Sequence, residues 1–320
     1  MRTKKSVSHK AAYVFFRNLF AVVRRERKDV CMKNLGYYNG AYGAIEEMTV
    51  PMNDRVHFFG DGVYDATCSR NHVIYLIDEH IDRFFNSAGL LKIKLPFTKA
   101  ELKSILQEMV EKVDGEDLFV YWQVTRGTAP RNHAFPDVKP NLWITVTPMQ
   151  FRNLKERVAL TTMEDTRYLH CNIKTLNLLP SVMAAQKAAE EGCFETVFHR
   201  GDTVTECAHS NVSILKDGVL LTHPDGHLIL PGIAKKHLIM ACKKLEIPVD
   251  ETTYTLEDLK NADEIIVTSS SNFCLVAGTL EGKPVGGKAP ELVDALQKVL
   301  MEEFADYCAA NAICSKAVSA

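Results

Sequence analysis

Arg167-Tyr168-Leu169-His170-Cys171-Asn172-Ile173-Lys174-Thr175-Leu176-Asn177 sets one lysine in a polar, hydroxyl-rich run, between an apolar residue and the start of a helix. A lysine so placed reaches out of a strand end into a cleft, where its amine can lose its proton and form an imine with an aldehyde cofactor. Alone the run is weak evidence, because most lysines are solvated surface groups. The carboxylate, arginine and hydroxyl signals around it in the chain give it weight.

Working outward, 320 residues suffice for a large core and suggest two domains. A hydrophobic share of 46% beside 24% charged residues is that of a soluble globular protein. Residues 1–31 hold nine Lys and Arg against two acids, so the remainder is acidic, which argues against nucleic acid as a partner. The nine cysteines are scattered without a C-x-x-C pair and read as reduced thiols of a cytoplasmic protein. No uninterrupted apolar run is long enough to span a membrane. Before Met32, Ala11–Phe16 and Leu19–Val23 are split by Arg17-Asn18, which does not fit a secretory signal. Arginine richness leaves an organelle transit peptide open. The simpler expectation is that Met32 is a natural start and 1–31 an extension outside the fold.

The body begins with a hairpin, Leu35–Tyr38 and Ala41–Ile45, around Asn39-Gly40. His57–Ser69 alternates like a strand interrupted at Gly60-Asp61-Gly62, and Val73–Ile77 follows as a second strand. Asp78 and Thr98 read as helix caps. Leu118–Thr125 and Leu142–Thr147 complete a small α+β domain, 34–148. A linker over 149–155 leads to a larger domain, 156–308. It opens on strand Arg157–Met163, continues through the lysine run and a helix over about Leu178–Glu191, and ends on helix Pro290–Phe304. Residues 309–320 are expected to be disordered.

Pyridoxal phosphate chemistry needs a lysine, an anionic partner for the ring nitrogen, a phosphate cradle and a trap for the substrate carboxylate. Glu206 closes the strand Thr203-Val204-Thr205 and can supply the anion. Leu230-Pro231-Gly232-Ile233-Ala234 precedes a helix whose first N–H groups are open to an anion. Thr268-Ser269-Ser270-Ser271 adds hydroxyls, and Arg83 can add a cation. Pro130-Arg131-Asn132-His133 places a fork donor and a ring donor two positions apart, and Tyr64 can project a phenol into the same cleft. Each also reads singly as a surface, capping or core residue. His223 and His227 flank a turn, so a metal site is not expected, and there is no P-loop, dinucleotide fingerprint or G-x-S-x-G.

Taken together, FGDGVYDA, DEHIDRFFNSA, FVYWQVTRGTAPRNHAFP, RYLHCNIKTLNLLPSVMAAQKAAEEGCFE, GDTVTECAHSN and ILPGIAKKHL resemble the fold-type IV pyridoxal-phosphate enzymes, in their D-amino acid aminotransferase branch, from about Gly36 to about Leu300. The resemblance implies an α+β, two-domain fold of mixed sheets with flanking helices. It makes Lys174 the Schiff-base lysine and Glu206 the partner of the pyridine nitrogen. It sets Arg83, Ile233, Ala234 and Ser270 at the phosphate and makes Tyr64 the active-site tyrosine. Arg131 and His133 match an R-x-H pair that reaches the substrate carboxylate from the neighbouring subunit of a homodimer, and Arg167 and His80 match polar groups that support the glutamate.

There are three departures from the family pattern. Ala234 stands where a threonine is usual, Asp65 replaces a glutamate, and Cys207-Ala208-His209 replaces a glycine- and serine-rich run. The implied reaction is transfer from D-alanine to 2-oxoglutarate, giving pyruvate and D-glutamate. Small-molecule amino acids and 2-oxo acids are the expected partners. A branched-chain L-amino acid aminotransferase, an aminodeoxychorismate lyase and a catalytically weakened cofactor-binding relative are the alternatives.

Overall fold

The computed structural model describes residues 32–317, so the expectation for residues 1–31 lies outside it. Two sheets organise the chain. The first has six antiparallel strands in the order β2-β1-β6-β5-β3-β4. They are β1 (Leu35–Tyr38), β2 (Ala41–Gly43), β3 (Gly62–Arg70), β4 (Val73–Ile74), β5 (Asp117–Thr125) and β6 (Asn141–Pro148). Three helices accompany them: α1 (Arg55–Phe59), α2 (Ile77–Leu90) and α3 (Lys99–Val110). Strand β5 buries alternate residues, and its Leu118, Val120, Trp122 and Val124 meet Phe84 of α2 and Leu102, Leu106 and Met109 of α3 in one core.

The second sheet has nine strands, ordered β12-β11-β10-β13-β14-β7-β8-β9 with β15 beside β14. In chain order these are β7 (Val158–Glu164), β8 (Glu195–Arg200), β9 (Thr203–Cys207), β10 (Asn211–Lys216), β11 (Val219–Thr222), β12 (Val249–Asp250), β13 (Glu264–Thr268), β14 (Leu275–Leu280) and β15 (Lys283–Pro284). Its helices are α4 (Leu179–Glu190), α5 (Ile233–Lys244), α6 (Leu256–Asn261) and α7 (Pro290–Ala317). The pairs β14–β7, β7–β8 and β11–β12 are parallel and the rest antiparallel, so the sheet is mixed. An aromatic cluster joins the two sheets: Tyr75 after β4 packs edge-on to Phe273 and to Phe304 of α7.

Several elements differ from the sequence reading. Residues 55–59 form a helix, not the first half of a strand. The Asp54 carboxylate accepts the Val56 N–H at 2.9 Å, and Gly60, at φ 60°, closes the turn in the left-handed region, so the strand starts at Gly62. Asp78 does not cap α2; the helix begins at Ile77 behind Leu76, at φ 48°, and Asp78 instead pairs with Lys103. Residues 309–317, expected to be disordered, continue α7. The helix is anchored just before them by buried Phe304 and Cys308. Past that anchor the alanine-rich sequence propagates the helix at little entropic cost.

Candidate active site

The loop between β7 and α4 carries Lys174, so the lysine stands on a loop instead of a strand end. The loop is stitched to the first residues of β3. The Tyr64 N–H donates to the Lys174 carbonyl at 2.9 Å and the Leu176 N–H to the Gly62 carbonyl at 3.0 Å. Ser87 Oγ of α2 accepts the Lys174 N–H at 3.2 Å. This close approach explains Gly62: a Cβ there would strike the Val124 carbonyl and come within 2.7 Å of Leu176. Lys174 Nζ lies 4.3 Å from the ring centroid of Tyr64 and has no ion pair among the described residues. Tyr64 is itself stacked on Tyr121 at 5.4 Å.

Lys174 and Tyr64 line a cleft that Arg83, Glu206, Ile233 and Ser270 also line. Glu206 is buried on β9 and accepts three hydrogen bonds. Arg167 reaches Oε1 at 2.5 Å, while Asn211 Nδ2 and the Leu230 N–H each reach Oε2 at 3.0 Å. Burial nevertheless pushes the Glu206 carboxyl up to about 7, outweighing Arg167, the Leu230 N–H and Lys174. Arg167 is held in turn by Asp165, at 2.9 Å and 3.0 Å, which also takes Arg200.

The anion-binding end is assembled from both sheets. Arg83 of α2 makes a two-point contact with Asp65 of β3, at 2.9 Å and 2.7 Å, and its Nη1 reaches the Pro231 carbonyl at 3.4 Å. Asp65 is fully buried; burial alone would raise it, but Arg83 and His80 hold it well below the usual carboxylate range. His80 does not support Glu206, as the sequence suggested. Its Nδ1 bonds to Asp65 at 2.8 Å and its Nε2 faces Ser270 at 3.5 Å, because its place on α2 puts it beside β3. Gly232 precedes α5 with no side-chain cap, leaving the first N–H groups, Ile233 and Ala234 among them, without an intrahelical acceptor. A Cβ on Gly232 would run into Asn211, the residue that also holds Glu206. The buried Thr268 hydroxyl lines the same cleft without a hydrogen-bond partner among the described residues.

Arg131 and His133 are not brought to the cleft within one chain. Both are exposed and pack at Phe59, the Arg131 guanidinium 5.3 Å from that ring and the His133 ring 5.1 Å from it. Arg55 pins their loop by donating to the Asn132 carbonyl. His133 lines an adjoining hollow that shares Tyr168, His170 and Thr175 with the cleft. Sequence reasoning missed Asp165, Asn211 and Glu195, all buried partners of site residues. Asn211 alone carried a local hint, as the residue ending GDTVTECAHSN.

A lysine amine without a carboxylate partner, a buried acid and an anion cradle share one cleft, which suits a cofactor having an aldehyde, a ring nitrogen and a phosphate. The frame and cleft are those of a fold-type IV aminotransferase. The chain belongs to the family described as Amino-transferase class IV, whose model matches residues 62–277. Pyridoxal 5′-phosphate is the cofactor of that family. The chain is 39% identical over 270 residues to a D-alanine aminotransferase of Listeria monocytogenes serotype 1/2a (strain 10403S), covering 82% of this chain and 93% of that one. It is 37% identical over 276 residues to one from Bacillus licheniformis, covering 84% and 98%. Among solved structures, the branched-chain aminotransferase of Thermoproteus uzoniensis with norvaline superposes with a TM-score of 0.77 at 21% identity, over 85% of this chain and 96% of that one. The branched-chain amino acid aminotransferase from Escherichia coli gives 0.77 at 20%, over 85% and 94%. These superpositions show the fold, which is the α+β arrangement the sequence implied.

Proposed function

We propose that this chain transfers the amino group of D-amino acids, D-alanine above others, to 2-oxoglutarate, giving pyruvate and D-glutamate. The observation that carries the reading is Lys174 Nζ, which enters the cleft beside Tyr64 and shares that cleft with buried Glu206. The D-alanine aminotransferases it resembles, matched over nearly their whole length, support the choice of donor.

In this reading Arg83, Ser270 and the N–H groups of Ile233 and Ala234 hold the phosphate, and Glu206 faces the ring nitrogen. Ala234 gives a backbone donor only, so the phosphate rests more heavily on Arg83. When bound, pyridoxal phosphate supplies a ring that withdraws the electrons released at the amino acid Cα. With the cofactor bound, Lys174 Nζ would be the base that takes the proton from the amino acid Cα. Glu206 would pair with the ring nitrogen, while Arg167, itself neutralised by Asp165, keeps Glu206 in place. Tyr64 flanks the lysine amine with its ring.

Arg131 and His133 fit a second role, holding the substrate carboxylate of a partner copy. They are exposed outside their own chain's cleft, near Phe135, and α4 presents exposed Leu179, Val182 and Met183. Such an apolar face supports a homodimer. We also read 34–148 and 156–308 as two domains linked by 149–155. We assign the protein to the cytoplasm, which the free thiols of Cys68, Cys171, Cys193, Cys207, Cys242, Cys274 and Cys308 support. No helix among the described residues is long and apolar enough to cross a membrane.

The test is pyruvate formation from D-alanine and 2-oxoglutarate, set beside L-leucine and L-isoleucine as donors. D-alanine turnover is expected. Turnover of the L-amino acids without D-alanine would replace the reading with a branched-chain one, and retention of cofactor with no amino acid converted would make the chain a weakened relative.

A further inference from the structure

Glu195 opens β8 fully buried, yet its carboxylate is well provided for. Oε1 accepts the Thr196 N–H at 2.9 Å and Oε2 the Ser210 hydroxyl at 2.8 Å. Its basic partner is His209, on the turn between β9 and β10, whose Nδ1 lies 2.5 Å from Oε2. A buried carboxylate without a cation would be strongly unfavourable, so this ion pair fixes the imidazole as well as neutralising the acid.

The His209 side chain is 57% exposed and lines the cleft together with Lys174 and Ser181, with Phe194 beside its ring at 6.4 Å. With Nδ1 committed to Glu195, Nε2 is the ring atom left for a ligand, and it has no partner among the described residues. The hydrogen bond to Glu195 holds the imidazole above its ordinary value, more than burial and Lys174 lower it. Of the cleft's arginines, Arg83 is held to Asp65 and assigned to the phosphate, and Arg167 is held to Asp165 and Glu206, so neither is left for a substrate side chain. Within this chain the His209 Nε2 is therefore the donor left for the far end of a ligand once Lys174 is engaged.

We propose that His209, fixed by Glu195, is a specificity-determining residue whose Nε2–H receives a second carboxylate, at the side-chain end of the substrate. 2-Oxoglutarate and D-glutamate are then held by a contact that D-alanine and pyruvate do not make, so His209 tells the dicarboxylic half of the reaction from the monocarboxylic half. The proposal rests on reading the cleft as an amino acid and 2-oxo acid site, and names the group that selects among them.

The test is calorimetric titration of the purified cofactor-bound protein with glutarate and with butyrate, which differ by the second carboxylate. The wild type is expected to bind glutarate about tenfold more tightly than butyrate, the worth of one charge-assisted hydrogen bond. His209→Gln is expected to bring that ratio close to one. A structural role alone would weaken both ligands together and leave the ratio standing. A wild-type ratio near one overturns the proposal, whether or not the variant folds, as does a ratio retained in a folded His209→Gln protein. D-alanine turnover by the wild type is measured separately: its absence, with the glutarate preference intact, sinks the aminotransferase reading but not the role of His209.

Discussion

Replacing Glu206 with glutamine has a pH signature that follows from the burial of this one carboxyl. Burial moves the group from its ordinary 4.5 up to about 7. A carboxyl raised on folding stabilises the protein fully below its unfolded value, and that contribution is lost as pH rises through the folded value. The rise corresponds to about 3 kcal/mol, at about 1.4 kcal/mol for each tenfold change in proton affinity. Glutamine binds no such proton, so wild-type stability should fall relative to the variant by about 3 kcal/mol between about pH 4.5 and pH 8. A pH-independent offset lies beneath this. Arg167, Asn211 and the Leu230 N–H all donate to the carboxylate, whereas an amide has one acceptor oxygen and a donor nitrogen. The mismatch should cost the variant about 2 kcal/mol at every pH. Urea unfolding of both proteins, stripped of cofactor, across this range separates the two effects, because Asp65, His237 and the other shifted groups titrate alike in both. A stability difference that stays constant from about pH 5 to pH 8 would refute the assignment of the raised carboxyl to Glu206.

Other perturbations read different parts of the site. Lys174→Ala should lower transamination by about a thousandfold or more and abolish the visible absorbance of lysine-linked cofactor, with the thermal midpoint little changed. Asp65→Asn leaves Arg83 and His80 without their shared buried anion, so it should cost about 3 kcal/mol in urea unfolding and weaken cofactor binding about tenfold by equilibrium dialysis. Gly62→Ala drives a methyl into the Val124 carbonyl and the Leu176 side chain. A loss of about 2 kcal/mol is expected, with the defect in kcat because the loop displaced carries Lys174. Arg131→Ala, at an exposed position, should raise KM for D-alanine about tenfold while leaving unfolding unchanged, and an unaltered KM would remove it from the carboxylate trap.

The parts of the site legible in the sequence are those that its ordered segments carry. Lys174, Glu206, Arg83 and the uncapped helix start at Gly232-Ile233 each read singly as ordinary surface or capping residues and take their roles from the run of segments together; all face the one cleft. What escaped reading depends on approach across the fold. Asp65 and His80 lie 15 positions apart, and nothing in either segment tells that His80 turns to Asp65 instead of Glu206. The Glu195–His209 pair forms because β8 and β9 are neighbours in an antiparallel pair. Misread elements have equally physical causes. His57-Phe58-Phe59 looks like the start of β3 until Asp54 caps it and Gly60 ends the turn. Residues 309–317 have too little apolar pattern to suggest a helix, yet alanine needs none once Phe304 and Cys308 anchor the turns before it.

The most direct test of the central claim is the absorbance spectrum of the purified protein with pyridoxal phosphate, before and after D-alanine, with Lys174→Ala treated identically. The account predicts a visible band of lysine-linked cofactor in the wild type that converts to the aminated form on adding D-alanine, and neither feature in the variant. A wild-type spectrum equal to that of free cofactor, or a band that L-leucine converts and D-alanine leaves unchanged, would contradict it.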